Sequence, residues 1–312
     1  MTVSVAIVNW NSGPLLERAL RSLSADDPNR EVIIVDNASV DGSLDFASRC
    51  TGSVTILWNS DNMGFAAACN QAWRRSRGEL TLFLNPDAEA RPGSVERLAQ
   101  ALRSDSSVWA AGGRLLSPDG KPQIGFNVRS FPTVGCVLAE TLLLDEILPG
   151  NRWTRAYRMT DWDHASLRDV DQPAGACLMV RRDVLETLGG FDERYRPAWF
   201  EDVDLCRRIR NAGGRIIFVP GADFLHYGGS SLARLKRQEF LEAFYKNRIR
   251  YFAMHHGRRA ASHVRTLTTL GLRLRAFLSL VHPGVGGQGR LSSARIFRET
   301  ARRIAAMPEV LS

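Results

Sequence analysis

The sequence predicts an α/β fold, a doubly wound and mostly parallel sheet followed by a helical C-terminal extension. Four short apolar runs alternate with amphipathic helical stretches over the first hundred residues. Each run ends in a cluster of Asn, Asp or Gly. The charge of the chain also changes sign near Ser230.

Val3–Val8, Val32–Val35, Val54–Trp58 and Leu80–Leu84 have the continuous apolar character of strands buried on both faces. Between them, Pro14–Leu23 sets Leu16, Ala19, Leu20 and Leu23 on one stripe, with Ser12 or Gly13 where a cap belongs. Phe65–Arg75 and Gly93–Leu102 read as the next two helices, the second introduced by Pro92. From Pro118 to Asp171 periodicity is poor and aromatics are frequent, among them Trp153, Tyr157 and Trp162, which either stack on a ligand, pack in a core or anchor the stretch. A strand follows over residues 173–180, then a helix from Asp183 to Leu188 closed by Gly189-Gly190. Residues 199–208 form a helix opening on Glu201, Asp202 and Asp204. Arg215–Val219 is a further strand, and residues 226–231 a glycine-rich loop. Beyond it the chain is basic and helical to about His256, with an amphipathic segment over Leu267–Leu280.

The 312 residues are 44% hydrophobic and 24% charged, an ordinary globular composition that excludes disorder, collagen and coiled coil. No window is apolar enough for a membrane-spanning helix, and no signal peptide is expected at the N-terminus. The five cysteines are scattered with no Cys-x-x-Cys pair, which argues for a reducing compartment and against structural zinc. A cytoplasmic location is expected. Ser230–Ser312 carries 16 Lys+Arg against 4 Asp+Glu, a net of +12, whereas Met1–Gly229 is net −4. Such a tail either meets an anionic surface or solubilises the chain. No aromatic–basic interleaving accompanies the charge, so nucleic acid is not an expected partner.

In a parallel sheet the ligand sits beyond the carboxyl ends of the strands. Strand one ends in Asn9-Trp10-Asn11 and strand two in Asp36-Asn37-Ala38-Ser39. Strand three runs into Asn59 and Asp61-Asn62-Met63-Gly64, and strand four into Asn85-Pro86-Asp87. Four polar clusters at one edge predict a polar small-molecule site. No Gly-x-Gly-x-x-Gly follows strand one and no phosphate-cradling P-loop is present, which weakens dehydrogenase and ATPase readings.

Val-Asn-Trp-Asn, Val-Asp-Asn-Ala-Ser-x-Asp-Gly, Asn-x-Gly-Phe-Ala-x-x-x-Asn, Leu-Asn-Pro-Asp, Gly-Gly-Phe-Asp-Glu, Glu-Asp-Val-Asp-Leu and His-Tyr-Gly-Gly-Ser-Ser occur in this order. The set resembles family-2 inverting glycosyltransferases of the GT-A fold, in the rhamnosyltransferase-like branch of cell-envelope polysaccharide assembly. The likeness covers about residues 3–255. It implies a GT-A domain over residues 1–230, with a Rossmann-like nucleotide-sugar half (1–117) and an acceptor half (118–230), and a basic helical extension over 231–312.

The resemblance also implies roles. Val8, Asn9, Asp36, Asn62, Gly64, Asn70, Asn85 and Asp87 fall at donor-binding positions, Asp36 as the acceptor for a base N–H. Asp36 is otherwise a turn aspartate, and Gly64 a turn glycine. Asn85-Pro86-Asp87 takes the place of the family's Asp-x-Asp metal motif with the first acid replaced. Asp87 is then the carboxylate ligand for Mn²⁺ or Mg²⁺, and His226 the candidate second ligand, favouring manganese. A hydrogen-bonded structural role is the alternative for His226. Asp202 is the expected general base of a single displacement, with adjacent Glu201 open to confusion with it. The helix N-terminus lowers the Asp202 pKa, and the apolar neighbours Trp199 and Phe200 raise it. Asp204 is expected to pair with Arg207 or Arg208.

The donor expected from the resemblance is a nucleotide sugar, dTDP-rhamnose above others, and the acceptor a glycan or polyprenyl-linked intermediate. The C-terminal extension is then expected on an anionic membrane surface, with Leu267, Leu270, Leu274, Phe277, Leu278 and Val281 as its apolar face. Two other classes compete. A nucleotidyltransferase making sugar nucleotides lacks its Gly-rich basic loop here. A non-catalytic nucleotide-binding protein has no need of Asp202 beside Asp87 and His226.

Overall fold

The computed structural model describes residues 2–46, 54–228, 236–281 and 289–308, and the chain divides into two units. The first joins Met1–Phe131 with Arg158–Ala233, and the second joins Pro132–Tyr157 with Arg234–Ser312.

In the first unit, β1 (Val3–Asn9), α1 (Leu15–Asp26), β2 (Glu31–Asn37), β3 (Val54–Asn59), α2 (Phe65–Arg75) and β4 (Leu80–Leu84) follow the expected alternation. The strands pair in parallel in the order β3-β2-β1-β4, so all four carboxyl ends lie along one edge. β1, β2 and β4 are buried on both faces, as continuous apolar runs require. β3 is not. It forms the sheet edge and leaves Trp58 66% exposed. α1 buries the expected stripe of Leu16, Ala19, Leu20 and Leu23, but it starts behind Pro14 and no side chain caps it, neither Ser12 nor Gly13.

The remaining sheet is mixed. β5 (Ala88–Ala90), α3 (Ser94–Ser104), β6 (Val108–Leu116) and β7 (Val128–Arg129) come next. They are followed by β8 (Arg168–Asp169), β9 (Gln172–Pro173), β10 (Cys177–Arg181), α4 (Arg182–Leu188), α5 (Glu201–Asn211) and β11 (Arg215–His226). The order continues β4-β10-β6-β11-β5, with β10 antiparallel to both neighbours. Central strand β6 has no counterpart among the expected elements. Its Ala110-Ala111-Gly112-Gly113 is small because neighbours press on it: a Cβ on Gly112 would meet Pro173 at 2.2 Å, and one on Gly113 the Phe224 ring at 2.7 Å.

The strand expected over residues 173–180 is split. Pro173 lies in β9 paired with β7, the chain turns at Ala174-Gly175, and β10 begins at Cys177. β11 runs well past Val219. A register shift between Val219 and Asp223 carries it on to His226, beside Ala88 of β5. Gly189 closes α4 in the left-handed conformation, as expected.

The second unit is helical. The stretch expected to be irregular contains α6 (Val134–Thr141), α7 (Leu144–Ile147) and α8 (Arg152–Arg158). α9 (Arg237–Val281) breaks at Gly257, whose φ of 82° no helix contains, and α10 (Arg290–Ala305) follows. Arg248 donates to Thr268 Oγ1 at 2.7 Å. A straight helix would hold residues 20 apart at about 30 Å, so α9 doubles back at Gly257. Arg248 is buried and also pairs with Glu140 at 2.6 Å. No helix among the described residues is long and apolar enough to cross a membrane.

Candidate active site

The turn after β4 is where the sheet changes direction, and it carries Asn85-Pro86-Asp87. The Asn85 N–H donates to the Ala176 carbonyl at 3.0 Å, and the Ala88 N–H closes the turn on the Asn85 carbonyl at 3.1 Å. Antiparallel pairing of Ala88 with His226, with the Tyr227 N–H on the Asp87 carbonyl at 3.0 Å, sets two side chains face to face. His226 Nε2 lies 3.5 Å from Asp87 Oδ1, both side chains buried.

Gln123 fixes the chemistry of that pair. Its Nε2 donates to the His226 carbonyl at 2.8 Å, which turns its Oε1 toward His226 Nδ1 at 2.9 Å. Nδ1 therefore carries the proton that Gln123 accepts, and in the neutral ring the Nε2 lone pair faces the Asp87 carboxylate. Phe126 stacks on the same imidazole at 5.4 Å and 11°. A carboxylate oxygen and an imidazole nitrogen set face to face in a buried place are bridged by a proton or by a cation. One carboxylate and one imidazole fit a divalent cation that takes its other ligands from a diphosphate and water. Among the described residues no third His, Cys, Asp or Glu joins them.

Asp202 sits in the first turn of α5, behind Trp199 and Phe200, both at positive φ (76° and 74°). Its Oδ2 accepts from the Gly175 N–H at 2.9 Å and its Oδ1 from the Val203 N–H at 2.8 Å. Gly175 precedes Ala176, the residue bonded to Asn85, so two consecutive residues tie Asp202 to the Asp87 turn. Burial raises the Asp202 carboxyl above its ordinary value, against the pull of the Gly175 and Val203 N–H groups and of Arg129. Desolvation thus outweighs the helix terminus.

Glu201 differs from Asp202 in what it can reach. It is 5% exposed and its Oε2 has no hydrogen-bond partner, while Asp202 is only partly buried. Burial first, and the Asp202 charge second, push Glu201 well above the carboxylate range. Asp204 is buried and pairs with Arg208 at 2.7 Å, which settles the choice between the two arginines. Arg207 lies instead over the Phe131 ring at 4.8 Å.

Other expected donor positions are occupied by the protein's own bonds. Asn9 is fully buried and donates to Asp36 at 2.7 Å and to Ser43 at 2.9 Å. Asp36 is 2% exposed, and its second oxygen accepts from the Ser39 N–H at 3.0 Å, so its carboxylate orders the loop after β2. Val8 is a buried rung of the β1–β2 ladder.

Asn62 is exposed, and its Oδ1 accepts from the Gly64 N–H at 2.9 Å. Gly64 begins α2 at φ 87°, where a Cβ would stand 3.0 Å from the Pro197 carbonyl. Asn70 is furthest from the expectation. It is 1% exposed and its Nδ2 donates to the Phe191 carbonyl and to Glu193. Its Oδ1 accepts from Trp73 Nε1 and the Phe191 N–H, so the amide is saturated as a tie between α2 and the chain after α4.

Trp162 is anchored against Phe218 and His164 rather than open to a ligand. Cys69, Cys177 and Cys206 are buried with thiols pushed up by desolvation, Cys177 to about 12. Gly229, Ser230, Ser231 and Cys50 lie outside the described residues.

Gln123, Arg129 and Gly175 did not stand out in the sequence, and Phe126 only as one of the aromatics between Pro118 and Asp171. Gly175 falls inside the strand expected over residues 173–180, and only the structure places it in a turn before β10.

The Glycosyl transferase family 2 model matches residues 4–189, well over half of the chain. The chain belongs to that family. The transferase is 34% identical over 245 residues to the N-acetylglucosaminyl-diphospho-decaprenol L-rhamnosyltransferase of Mycobacterium tuberculosis, covering 74% of this chain and 77% of that one. It is 25% identical over 263 residues to the rhamnosyltransferase WbbL of Escherichia coli, covering 80% and 92%. The transferase is therefore a family-2 enzyme of the rhamnosyltransferase-like branch. Among solved structures, the mannosyltransferase PcManGT of Pyrobaculum calidifontis, in complex with GDP-Man and Mn²⁺, aligns with 97% of this chain and 87% of its own at TM-score 0.53 and 17% identity. S. aureus TarS 1-349 with UDP-GlcNAc aligns at 0.53 and 15%, covering 97% and 90%. The transferase has the GT-A fold.

Proposed function

We propose that the enzyme moves L-rhamnose from dTDP-rhamnose to a hydroxyl of a glycan or polyprenyl-linked acceptor in cell-envelope polysaccharide synthesis, with inversion at the anomeric carbon. Similarity to two rhamnosyltransferases supports the sugar. The single observation that carries the chemistry is the tie through Gly175 and Ala176, which brings Asp202 and the Asp87 turn to one place.

Asp202 takes the proton of the acceptor hydroxyl. The acceptor oxygen then bonds to the anomeric carbon, while the bond from that carbon to the diphosphate oxygen breaks and its electron pair leaves with the nucleotide. A raised pKa makes Asp202 a stronger base than a surface aspartate, and two N–H bonds hold it in one orientation. Asp87 and His226 would hold Mn²⁺ or Mg²⁺, which neutralises charge on the departing diphosphate when bound. Gln123 keeps the His226 lone pair on that side. Asp36 and Asn9 act by shaping the loop that meets the base, and Asn85 lines the turn beside the diphosphate.

The enzyme works at the cytoplasmic face of the membrane, with its C-terminal extension against anionic lipid. Incubation with dTDP-, UDP- and GDP-sugars and an acceptor extract, with and without EDTA, tests the reading. dTDP release from dTDP-rhamnose that EDTA abolishes supports it. Release from another nucleotide series alone, or release indifferent to EDTA, overturns the donor or the metal.

A further inference from the structure

The second unit is about a third of the chain, yet it holds eleven of the seventeen large apolar side chains that stand exposed among the described residues. Four of them form one ridge. Leu270, Leu274, Phe277 and Val281 are spaced i, i+4, i+7 and i+11 on the second arm of α9, and they are 51%, 36%, 61% and 59% exposed. Arg259, also exposed, lies three turns earlier on the same stripe, and exposed Arg273 flanks it. The opposite side of this arm is buried at Val264, Thr268, Leu272, Ala276 and Ser279. The ridge is thus an outward face of a helix already packed on its other side.

We infer that this ridge is the lipid-contacting face of the enzyme: the second arm of α9 lies in the plane of an anionic bilayer, with Phe277 and its neighbours among the acyl chains and the arginines at the headgroups. The inference deepens the membrane reading above and rests on it. Three observations select this occupant. The ridge is apolar, and exposed arginines stand beside it on the same arm, the composition of an interfacial helix rather than of a core. Residues 234–312 carry 16 Lys+Arg against 4 Asp+Glu, and two of those acids, Glu242 and Glu299, are already paired with Arg302 and Arg303. A second copy seated on this face would bring together two arms that each carry Arg258, Arg259, Arg265, Arg273 and Arg275 and no Asp or Glu, whereas an anionic surface complements that charge.

Flotation of the full-length enzyme with vesicles tests this, using phosphatidylcholine alone and mixed with phosphatidylglycerol. The enzyme is expected to float with the mixed vesicles and to be released at high salt. Phe277→Glu with Leu274→Glu should weaken binding tenfold or more, on the order expected for exposed apolar groups lost from the interface. Arg259→Glu, which leaves the ridge intact, should weaken binding about fivefold or more on mixed vesicles only. Both changes are at exposed positions, and an unchanged circular dichroism spectrum and sugar transfer to a soluble acceptor would show that the fold survives. Equal flotation of wild type and ridge variant overturns the inference. So does a wild-type dimer that ignores vesicles and becomes a monomer on Phe277→Glu. Either result leaves the transferase reading standing, because transfer to a soluble acceptor is measured separately.

Discussion

His226 Nε2 and Asp87 Oδ1 stand 3.5 Å apart with both side chains buried, and Gln123 is bonded to the far side of the imidazole. The two residues are distant in sequence. They meet because β11 runs on through a register shift at Pro220-Gly221 and pairs back to front with β5. From this pairing a graded metal dependence follows. Asp87→Ala should abolish Mn²⁺-dependent turnover, and His226→Ala should raise the Mn²⁺ needed for half-maximal activity at least tenfold. Gln123→Ala should raise it about tenfold without touching the ion. Titration followed by the loss of free-Mn²⁺ paramagnetic resonance, with nucleoside diphosphate present, checks all three.

Asp202→Asn keeps the shape of the side chain and removes its basicity. Turnover should fall by about 10²–10⁴, with thermal stabilisation by the donor nearly unchanged. Steady-state rates paired with a donor thermal shift separate the two effects.

The carboxylate is held by contact as well as by charge. A Cβ at Gly175 would stand 3.0 Å from Asp202 Oδ2 and 3.1 Å from its Cβ. Gly175→Ala should therefore shift the carboxylate and lower kcat by about 10–100-fold, with donor KM little changed. A normal kcat would show that the position of Asp202 is not critical.

Asn70 separates a structural role from a ligand role. Asn70→Ala orphans the buried Trp73 and Phe191 N–H groups and should cost about 2–4 kcal/mol of stability. Donor KM, measured at a temperature where the variant is folded, should stay within about twofold of wild type, because no ligand contact is lost.

Glu201 gives the pH prediction. Its folded-state pKa is raised well above 4.5 by burial, so the native state binds the proton more tightly than the unfolded chain does. Stability from this group is complete below the unfolded value and declines as pH climbs through the folded one. Glu201→Gln removes that decline. The Tm of the variant minus that of wild type should be more favourable at pH 8 than at pH 5 in thermal unfolding.

The parallel half of the fold was legible because its strands are continuous apolar runs separated by a 3.6-residue period, and α2 falls on its predicted residues. β6 was not legible, since Ala110-Ala111-Gly112-Gly113 owes its composition to Pro173 and Phe224 pressing on it from elsewhere in the chain. The site divides in the same way. Asp87 follows an apolar run, where a carboxylate is conspicuous, whereas Asp202 is singled out from Glu201 by the family resemblance alone. Gln123 lies in a stretch without periodicity, and its role exists only through a contact with His226. Asn9 and Asp36 at the strand ends and Asn70 within α2 are polar residues whose hydrogen bonds close inward, a direction that no spacing rule reports.

The central claim is that Asp87 and His226 together hold the cation that accompanies the nucleotide, with Asp202 facing the sugar. A crystal grown with Mn²⁺ and dTDP, measured at the manganese absorption edge, tests it most directly. The expected result is one anomalous peak in coordination distance of both Asp87 Oδ1 and His226 Nε2 and of the diphosphate. Bound dTDP with manganese elsewhere, or with His226 Nε2 turned away from the metal, would contradict it.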